Sequence, residues 1–285
     1  MSEQQERTVT YSVTGNVATI ALDRPDRHNA LTDSMFDLVV DGLREAAQDD
    51  DVKVVILCGN GPSFSSGFDM TNPDEFYGGA EKMGARYAIK TLKHRADVMR
   101  EILYSGKPTI ARVQRNCIGA GLYLVLVCNF AIASDDTVFG LPEERFGSGG
   151  TSWIYPFVAA QCGLKLANEL LMTGRKFDAQ EAQRLNLINR VVGADQLDQE
   201  VDELARAICS LPREGIASSR VVAHMSYDML GYPSMFTPHY GVHPLTVMME
   251  RRDDEFDFRK RIAAVGFKQA MAERDETYRG HFWGW

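Results

Sequence analysis

Hydrophobic and polar positions alternate with a period of two near the start of the chain. Val9 to Val13 and Val17 to Leu22 show it, with Gly15-Asn16 between them, so the pattern predicts a β-hairpin. Asp23-Arg24-Pro25-Asp26 reads as a turn. The period then lengthens to that of a helix. Thr32 or Asp33 can cap a helix running to about Gln48, with Leu31, Phe36, Val39, Val40 and Leu43 on one face. Val52 to Cys58 is a near-continuous apolar run, the mark of a strand covered on both faces. Gly59 to Asp69 is rich in Gly and Ser and predicts a loop. The helical period returns from about 81 to 104. Thr109 to Val113 is a further buried strand, Gly119 to Val127 a helix entered through a tight turn, and Phe130 to Ala133 and Val138 to Gly140 are strands. Strands alternating with helices imply crossover connections and a mainly parallel sheet. After about Trp153 the strand signals fade and helical patterns occupy 164–172, 179–185 and 195–210. The expected division is an α/β core over 1–210 and a helical C-terminal part over 211–285, with no repeat or low-complexity linker to mark it.

A chain of 285 residues, 45% of them hydrophobic, can bury one large core. The formal net charge of −8 argues against sequence-independent nucleic-acid binding, which needs clustered Lys and Arg. It does not exclude an anionic ligand held at a helix N-terminus. The five cysteines, Cys58, Cys117, Cys128, Cys162 and Cys209, form no CxxC pair and no metal-spaced cluster, so no metal is expected and a reducing compartment fits best. The polar N-terminus shows no signal peptide, and no apolar run approaches the ~20 residues of a membrane span. A cytoplasmic protein is the expectation.

Two loops follow buried strands and open into helices: Pro62-Ser63-Phe64-Ser65-Ser66-Gly67-Phe68-Asp69-Met70, and Cys117-Ile118-Gly119-Ala120-Gly121-Leu122-Tyr123. Glycine lets backbone approach a ligand closely. The first turn of a helix carries N–H groups with no internal partner. Two such groups, one per loop, could converge on one oxygen and stabilise an enolate or oxyanion. Taken alone, either loop is only a glycine-rich turn, and neither matches a phosphate-cradling or dinucleotide fingerprint.

In chain order, further segments join these loops. They are Val17-Ala18-Thr19-Ile20-Ala21-Leu22-Asp23-Arg24-Pro25 with His28-Asn29-Ala30-Leu31, then Val54-Val55-Ile56-Leu57 before Phe64 to Asp69. Lys107-Pro108-Thr109-Ile110-Ala111 leads into Gly119-Ala120-Gly121, followed by Cys128-Asn129-Phe130-Ala131-Ile132-Ala133 and Phe139-Gly140-Leu141-Pro142-Glu143. Met172-Thr173-Gly174 and Ile188-Asn189-Arg190-Val191-Val192 follow. Over roughly residues 8–210 this series resembles the enoyl-CoA hydratase/isomerase (crotonase) family. The resemblance implies an α/β fold, a ββα superhelix with a helical C-terminal trimerisation part. It also implies an acyl-CoA thioester as ligand, with no cofactor beyond the coenzyme A that the substrate carries, and a homotrimer or dimer of trimers. The thioester oxygen would accept from the backbone N–H of Ser66 and of Ala120. Gly67, Phe68 and Gly119 would line the same place, and Asp69 would cap its helix. Arg27 and His28 would border the CoA nucleotide, although a solvated surface Arg reads equally well.

In the hydratase pattern two Glu flank the double bond and share the protons of one water. Carried over, the second falls on Glu143 and the first on Tyr123. Tyrosine, with an ordinary pKa of ~10, is a hydrogen-bond donor near neutral pH rather than a base. Arg145 can pair with Glu143 or Glu144. The segment after Glu143, with Gly147 to Thr151, is shorter than in the family, and Trp153 beside it either shapes the acyl pocket or packs beneath a helix. Tyr227 to His243 is rich in Met and aromatics, either interface packing or a lid over a bulky acyl chain. His239 and His243 stand four apart, but Pro238 and Pro244 argue against a regular helix and a metal pair. The leading expectation is a hydratase-like enzyme with one Glu as acid and base. Isomerisation or retro-aldol cleavage through the same enolate, a CoA-ester-binding protein without turnover, and a scaffold remain open.

Overall fold

The computed structural model describes residues 8–71, 85–147, 153–248 and 251–280. In chain order the elements begin with β1 (Val9–Thr14), β2 (Val17–Leu22), α1 (Asp33–Gln48), β3 (Val54–Gly59), α2 (Ala85–Leu103), β4 (Thr109–Val113), β5 (Asn116–Ile118), α3 (Ala120–Val127), β6 (Phe130–Ser134) and β7 (Val138–Gly140). A 3-10 turn at Glu143–Phe146 follows, then α4 (Ile154–Cys162), α5 (Leu164–Thr173), β8 (Lys176–Asp178), α6 (Ala179–Arg184), β9 (Arg190–Val192), α7 (Leu197–Cys209) and α8 (Arg213–Met229). The chain ends in α9 (Tyr232–Met235), α10 (Thr237–Gly241), α11 (His243–Met248), α12 (Phe258–Val265) and α13 (Phe267–Tyr278).

The hairpin forms as the alternation predicts, with Val9 opposite Leu22 and Thr14 opposite Val17. β3, β4, β6 and β9 then add in parallel, giving the order β1-β2-β3-β4-β6-β9. β3 is buried at five of its positions, as a parallel strand covered on both faces is. α1 starts where expected: the Thr32 side chain accepts from the Met35 N–H, and Met35, Phe36, Val39, Val40, Leu43 and Ala46 form its buried stripe. Each of these side chains larger than alanine, taken from water, contributes on the order of 1.5–3 kcal/mol. Residues 81–84 of the expected second helix lie outside the described residues.

The chain divides into two compact units. The first comprises 1–68, 98–139 and 178–232, and the second 69–97, 140–177 and 233–285. The units therefore interleave along the sequence. Residues beyond 211 stay with the first unit because Ile216 of α8 joins the cluster of Val54, Ile56, Ile110, Ile132, Leu197, Val201, Ala205 and Ile208. Lys53 clamps the preceding turn, donating its Nζ to the carbonyls of Cys209 (2.7 Å) and Leu211 (2.8 Å).

The second unit has an aromatic interior. Phe258, Ile262 and Ala270 pack with Met70, Phe146, Phe256, Phe267 and Met271. The Arg274 guanidinium lies 4.4 Å from the Phe146 ring centroid, and that of Arg145 lies 4.2 Å from the Tyr278 ring. Separately, Trp153 stacks on Phe236 at 5.2 Å and meets Phe157 edge-on at 5.9 Å. No described helix is long and apolar enough to cross a membrane.

Candidate active site

Over residues 64–67 the first glycine-rich loop behaves as a short strand clamped from two sides, with its backbone partners in the first unit. On one side it pairs in parallel with β5: the Phe64 N–H donates to Gln114 O (2.9 Å), Ser65 N–H to Asn116 O (2.9 Å), and Ile118 N–H to Ser65 O (3.1 Å). On the other side it meets the turn at residues 28–31. There the Ser66 N–H donates to His28 O (2.9 Å) and the Leu31 N–H to Gly67 O (2.8 Å). A strand residue bonded on one side leaves its neighbours to bond on the other, so Ser65 and Ser66 face opposite partners.

This arrangement corrects one expected role. The single N–H of Ser66 is engaged by the His28 carbonyl, so it does not point at a ligand. Gly67, at φ +94°, interrupts the strand alternation. Phe68 bridges Leu31 in parallel. Because Leu31 donates to the carbonyl of Gly67, the bridge turns the N–H of Phe68 away from Leu31.

The second loop supplies the other amide. Gly119, at φ +53°, enters α3 without a side-chain cap, and the first closed turn is Tyr123 N–H to Gly119 O (3.1 Å). Ala120 is fully buried, and no acceptor among the described residues takes its N–H. The loops touch at this point. A β-carbon placed on Gly67 would lie 2.8 Å from Ile118 O and 3.6 Å from the Ala120 nitrogen. A buried amide at the positive end of a helix, with no acceptor among the described residues, suits an oxygen gaining negative charge.

Tyr123 is 2% exposed on α3, whose residues are all buried. Its ring meets that of Phe68 edge-on at 6.4 Å, and Phe68 in turn packs on Phe36 at 5.6 Å. Burial foremost, with Cys128 beside it, holds the Cys117 thiol well above the ordinary range. Arg27 and His28 are exposed, and His28 Nδ1 lies 3.2 Å from Ser63 Oγ.

Glu143, Asp69 and Trp153 belong to the second unit. Glu143 opens the 3-10 turn behind Pro142 and is 9% exposed, so it is not the surface carboxylate that a turn position suggests. Arg145 donates its Nε to Thr173 O (2.6 Å), and burial chiefly lowers its pKa. Asp69 accepts from Thr71 N–H (3.1 Å) and Oγ (2.6 Å), a local turn, and the residues it was expected to cap lie outside the described ones. Trp153 is 2% exposed within its stack on Phe236. His239 and His243 fall on separate short helices with rings stacked at 5.2 Å. Among the described residues no group of His, Cys, Asp and Glu could hold a metal ion. Residues 148–152 of the shortened segment lie outside the described residues.

A surface cleft of about 450 Å³ opens at the other ends of β3 and β4, lined by Val52, Lys53, Lys107 and Arg213. A strand of β3's length spans about 20 Å, so this cleft is remote from the two loops. Its lysines are held by main-chain carbonyls, Lys107 by those of Asp49 (3.0 Å) and Val52 (2.7 Å).

A profile of the enoyl-CoA hydratase/isomerase family matches residues 12–229, which hold both loops, Tyr123 and Glu143. The chain belongs to this family. Family relatives include enoyl-CoA hydratase domain-containing protein 3, mitochondrial, of Rattus norvegicus, which is 33% identical over 75% of this chain and 69% of that protein. Another is 4-chlorobenzoyl coenzyme A dehalogenase-1 of Arthrobacter sp, 28% identical over 78% of this chain and 80% of that protein. The crystal structure of an enoyl-CoA hydratase/isomerase from Xanthobacter autotrophicus Py2 superimposes with a TM-score of 0.86 at 28% identity, covering 96% of this chain and 99% of that one. The fold is therefore the crotonase fold that the motifs implied.

The reading of the sequence did not anticipate that the Phe68 N–H is turned away from Leu31. The lone Gly67 inside the Ser65-Ser66-Gly67-Phe68 run was the available signal, since only a positive φ there redirects the next N–H.

Proposed function

We propose that this protein binds an acyl-CoA thioester and polarises its carbonyl between the main-chain amides of Phe68 and Ala120. Glu143 then acts as the single acid and base in hydrating an enoyl thioester. The observation that carries this reading is the buried Ala120 N–H, without an acceptor among the described residues, at the first turn of α3 and beside Gly67. Hydration adds water across the α,β double bond through a thioester enolate. Two amides aimed at the enolate oxygen stabilise it more than the ground-state carbonyl, and losing one such donor costs about 10²–10³ in kcat. Tyr123 donates a hydrogen bond, to a water or a substrate hydroxyl, rather than abstracting a proton. Coenzyme A enters as part of the substrate. The family also contains a protein named a dehalogenase, so relatedness leaves the reaction open. Isomerisation is the second reading, because one Glu can remove and return the same proton.

Self-association belongs to the proposal. α8 turns Val221, Val222, Met225 and Met229 to solvent at 57–86% exposure, a stripe that a second copy would cover. A homotrimer or dimer of trimers fits.

The test uses mass spectrometry of the purified protein with a panel of enoyl-CoAs in ¹⁸O-water. Label uptake means hydration, and a positional isomer without label means isomerisation. Glu143→Gln should lower kcat by about 10²–10⁴ with binding retained. Tight binding without product, unchanged by Glu143→Gln, would defeat the catalytic assignment in favour of a non-catalytic acyl-CoA-binding protein.

A further inference from the structure

The spacing between the two amide-bearing segments depends on one small side chain. Ser65 is fully buried between the turn at residues 28–29, its own loop and the first turn of α3. Its Oγ donates to the Asn29 carbonyl (2.8 Å) and accepts from the Gly67 N–H (3.1 Å). The same side chain rests on Gly121. A β-carbon there would lie 2.8 Å from Ser65 Cβ, 3.0 Å from its carbonyl oxygen and 3.1 Å from its Oγ. Ser65 thus touches both the residue before Phe68 and the residue after Ala120.

Asn29 holds the anchor in place. It sits at φ +52°, directly after His28 at φ +49°, two consecutive residues in the left-handed region without being glycine. Such strain persists only where surroundings over-determine the backbone. Here they do. Asn29 is fully buried, its Nδ2 donates to Asn60 O (3.0 Å) and Ser63 O (2.8 Å), and its Oδ1 accepts from the Arg24 N–H (2.8 Å). Four points of the chain, at residues 24, 60, 63 and 65, are tied to one side chain and its carbonyl.

We propose that Ser65, clasped by the Asn29 turn and seated on Gly121, is the positioning residue that sets the distance between the Phe68 and Ala120 amides. Removing its hydroxyl frees Gly67, and the Phe68 amide follows. Adding a methyl at residue 121 forces the two segments apart with every hydrogen-bonding group still present. This inference rests on the oxyanion-hole reading above.

The experiment reads the carbonyl directly. Crotonyl-CoA labelled with ¹³C at the thioester carbonyl is bound to wild type, Ser65→Ala and Gly121→Ala, and the carbonyl stretch is recorded by difference infrared spectroscopy beside kcat, KM and thermal midpoint. Wild type should move the stretch to lower wavenumber. Both variants should lose most of that movement and about tenfold to hundredfold in kcat, with KM nearly unchanged, since sub-ångström misplacement of a catalytic dipole acts on the transition state. If Ser65→Ala does not fold, Gly121→Ala carries the test, because it deletes no hydrogen bond. A wild-type stretch at the free-thioester position refutes the oxyanion hole itself. A shifted wild-type stretch that either folded variant preserves overturns the role of Ser65 and leaves the oxyanion hole standing.

Discussion

Replacing Gly67 by alanine tests the backbone geometry most directly, and Gly106→Ala provides its mirror. At Gly67 the φ of +94° is one that side chains rarely adopt, and the new β-carbon would meet the Ile118 carbonyl oxygen at 2.8 Å. The conformational cost is about 1–3 kcal/mol, and forcing extra volume into a packed place adds about 1–3 kcal/mol. The obstacle is backbone paired to Ser65, so it cannot swing aside. A loss of about 3 kcal/mol is expected, a substantial part of the ~5–15 kcal/mol of a typical fold. At Gly106 the β-carbon meets only Ala47 Cβ, at an ordinary 3.7 Å. Alanine there should stabilise by about 0.4–1 kcal/mol by narrowing the unfolded ensemble. Urea unfolding followed by far-ultraviolet circular dichroism measures both. With a slope near 3 kcal/mol per molar, Gly67→Ala should lower the midpoint by about 1 M while Gly106→Ala raises it slightly. Equal midpoints for Gly67→Ala and wild type would refute the claim that the loop is locked on Ile118.

Other perturbations have equally definite outcomes. His239, deeply buried, is held well below its ordinary pKa by burial first, then by His243 and Arg95. A folded-state value depressed below the unfolded 6.5 contributes stability above that pH and loses it as pH falls further. Unfolding stability should therefore drop below about pH 6.5, and His239→Asn should flatten that drop in urea titrations at pH 5 to 8. For the thiols the sign is opposite. Burial raises Cys117 well above 9.0 and pushes Cys128 up to about 12, so their contribution is complete below 9 and fades as pH climbs toward 12. Iodoacetamide at about pH 8 should spare both in the folded protein and alkylate both in urea, as read by peptide mass spectrometry. Val222→Glu with Met225→Glu on α8 should shift the mass in multi-angle light scattering to that of one chain; an unchanged oligomer would remove α8 from the interface.

The alternation of Val9 to Leu22, the apolar run into β3 and the stripe on α1 were readable because they reflect local side-chain periodicity, which persists whatever the chain later meets. The ordered motifs from Arg24-Pro25 to Val191-Val192 carried the family for the same reason: each is a local backbone requirement written in residue type. Strands β8 and β9, of three residues each, carry too few positions to show a period and exist because a neighbouring strand pairs with them. The interleaving of the two units was likewise invisible, since it depends on Ile216 meeting strands more than a hundred positions earlier. The direction of an amide belongs to this second class. Gly67 in Ser65-Ser66-Gly67-Phe68 marks a place where the backbone can turn, but it does not say that the Ser66 N–H faces His28 and that of Phe68 faces away from Leu31. Partners distant along the chain decide it, because a peptide plane rotates until its own hydrogen bonds are made.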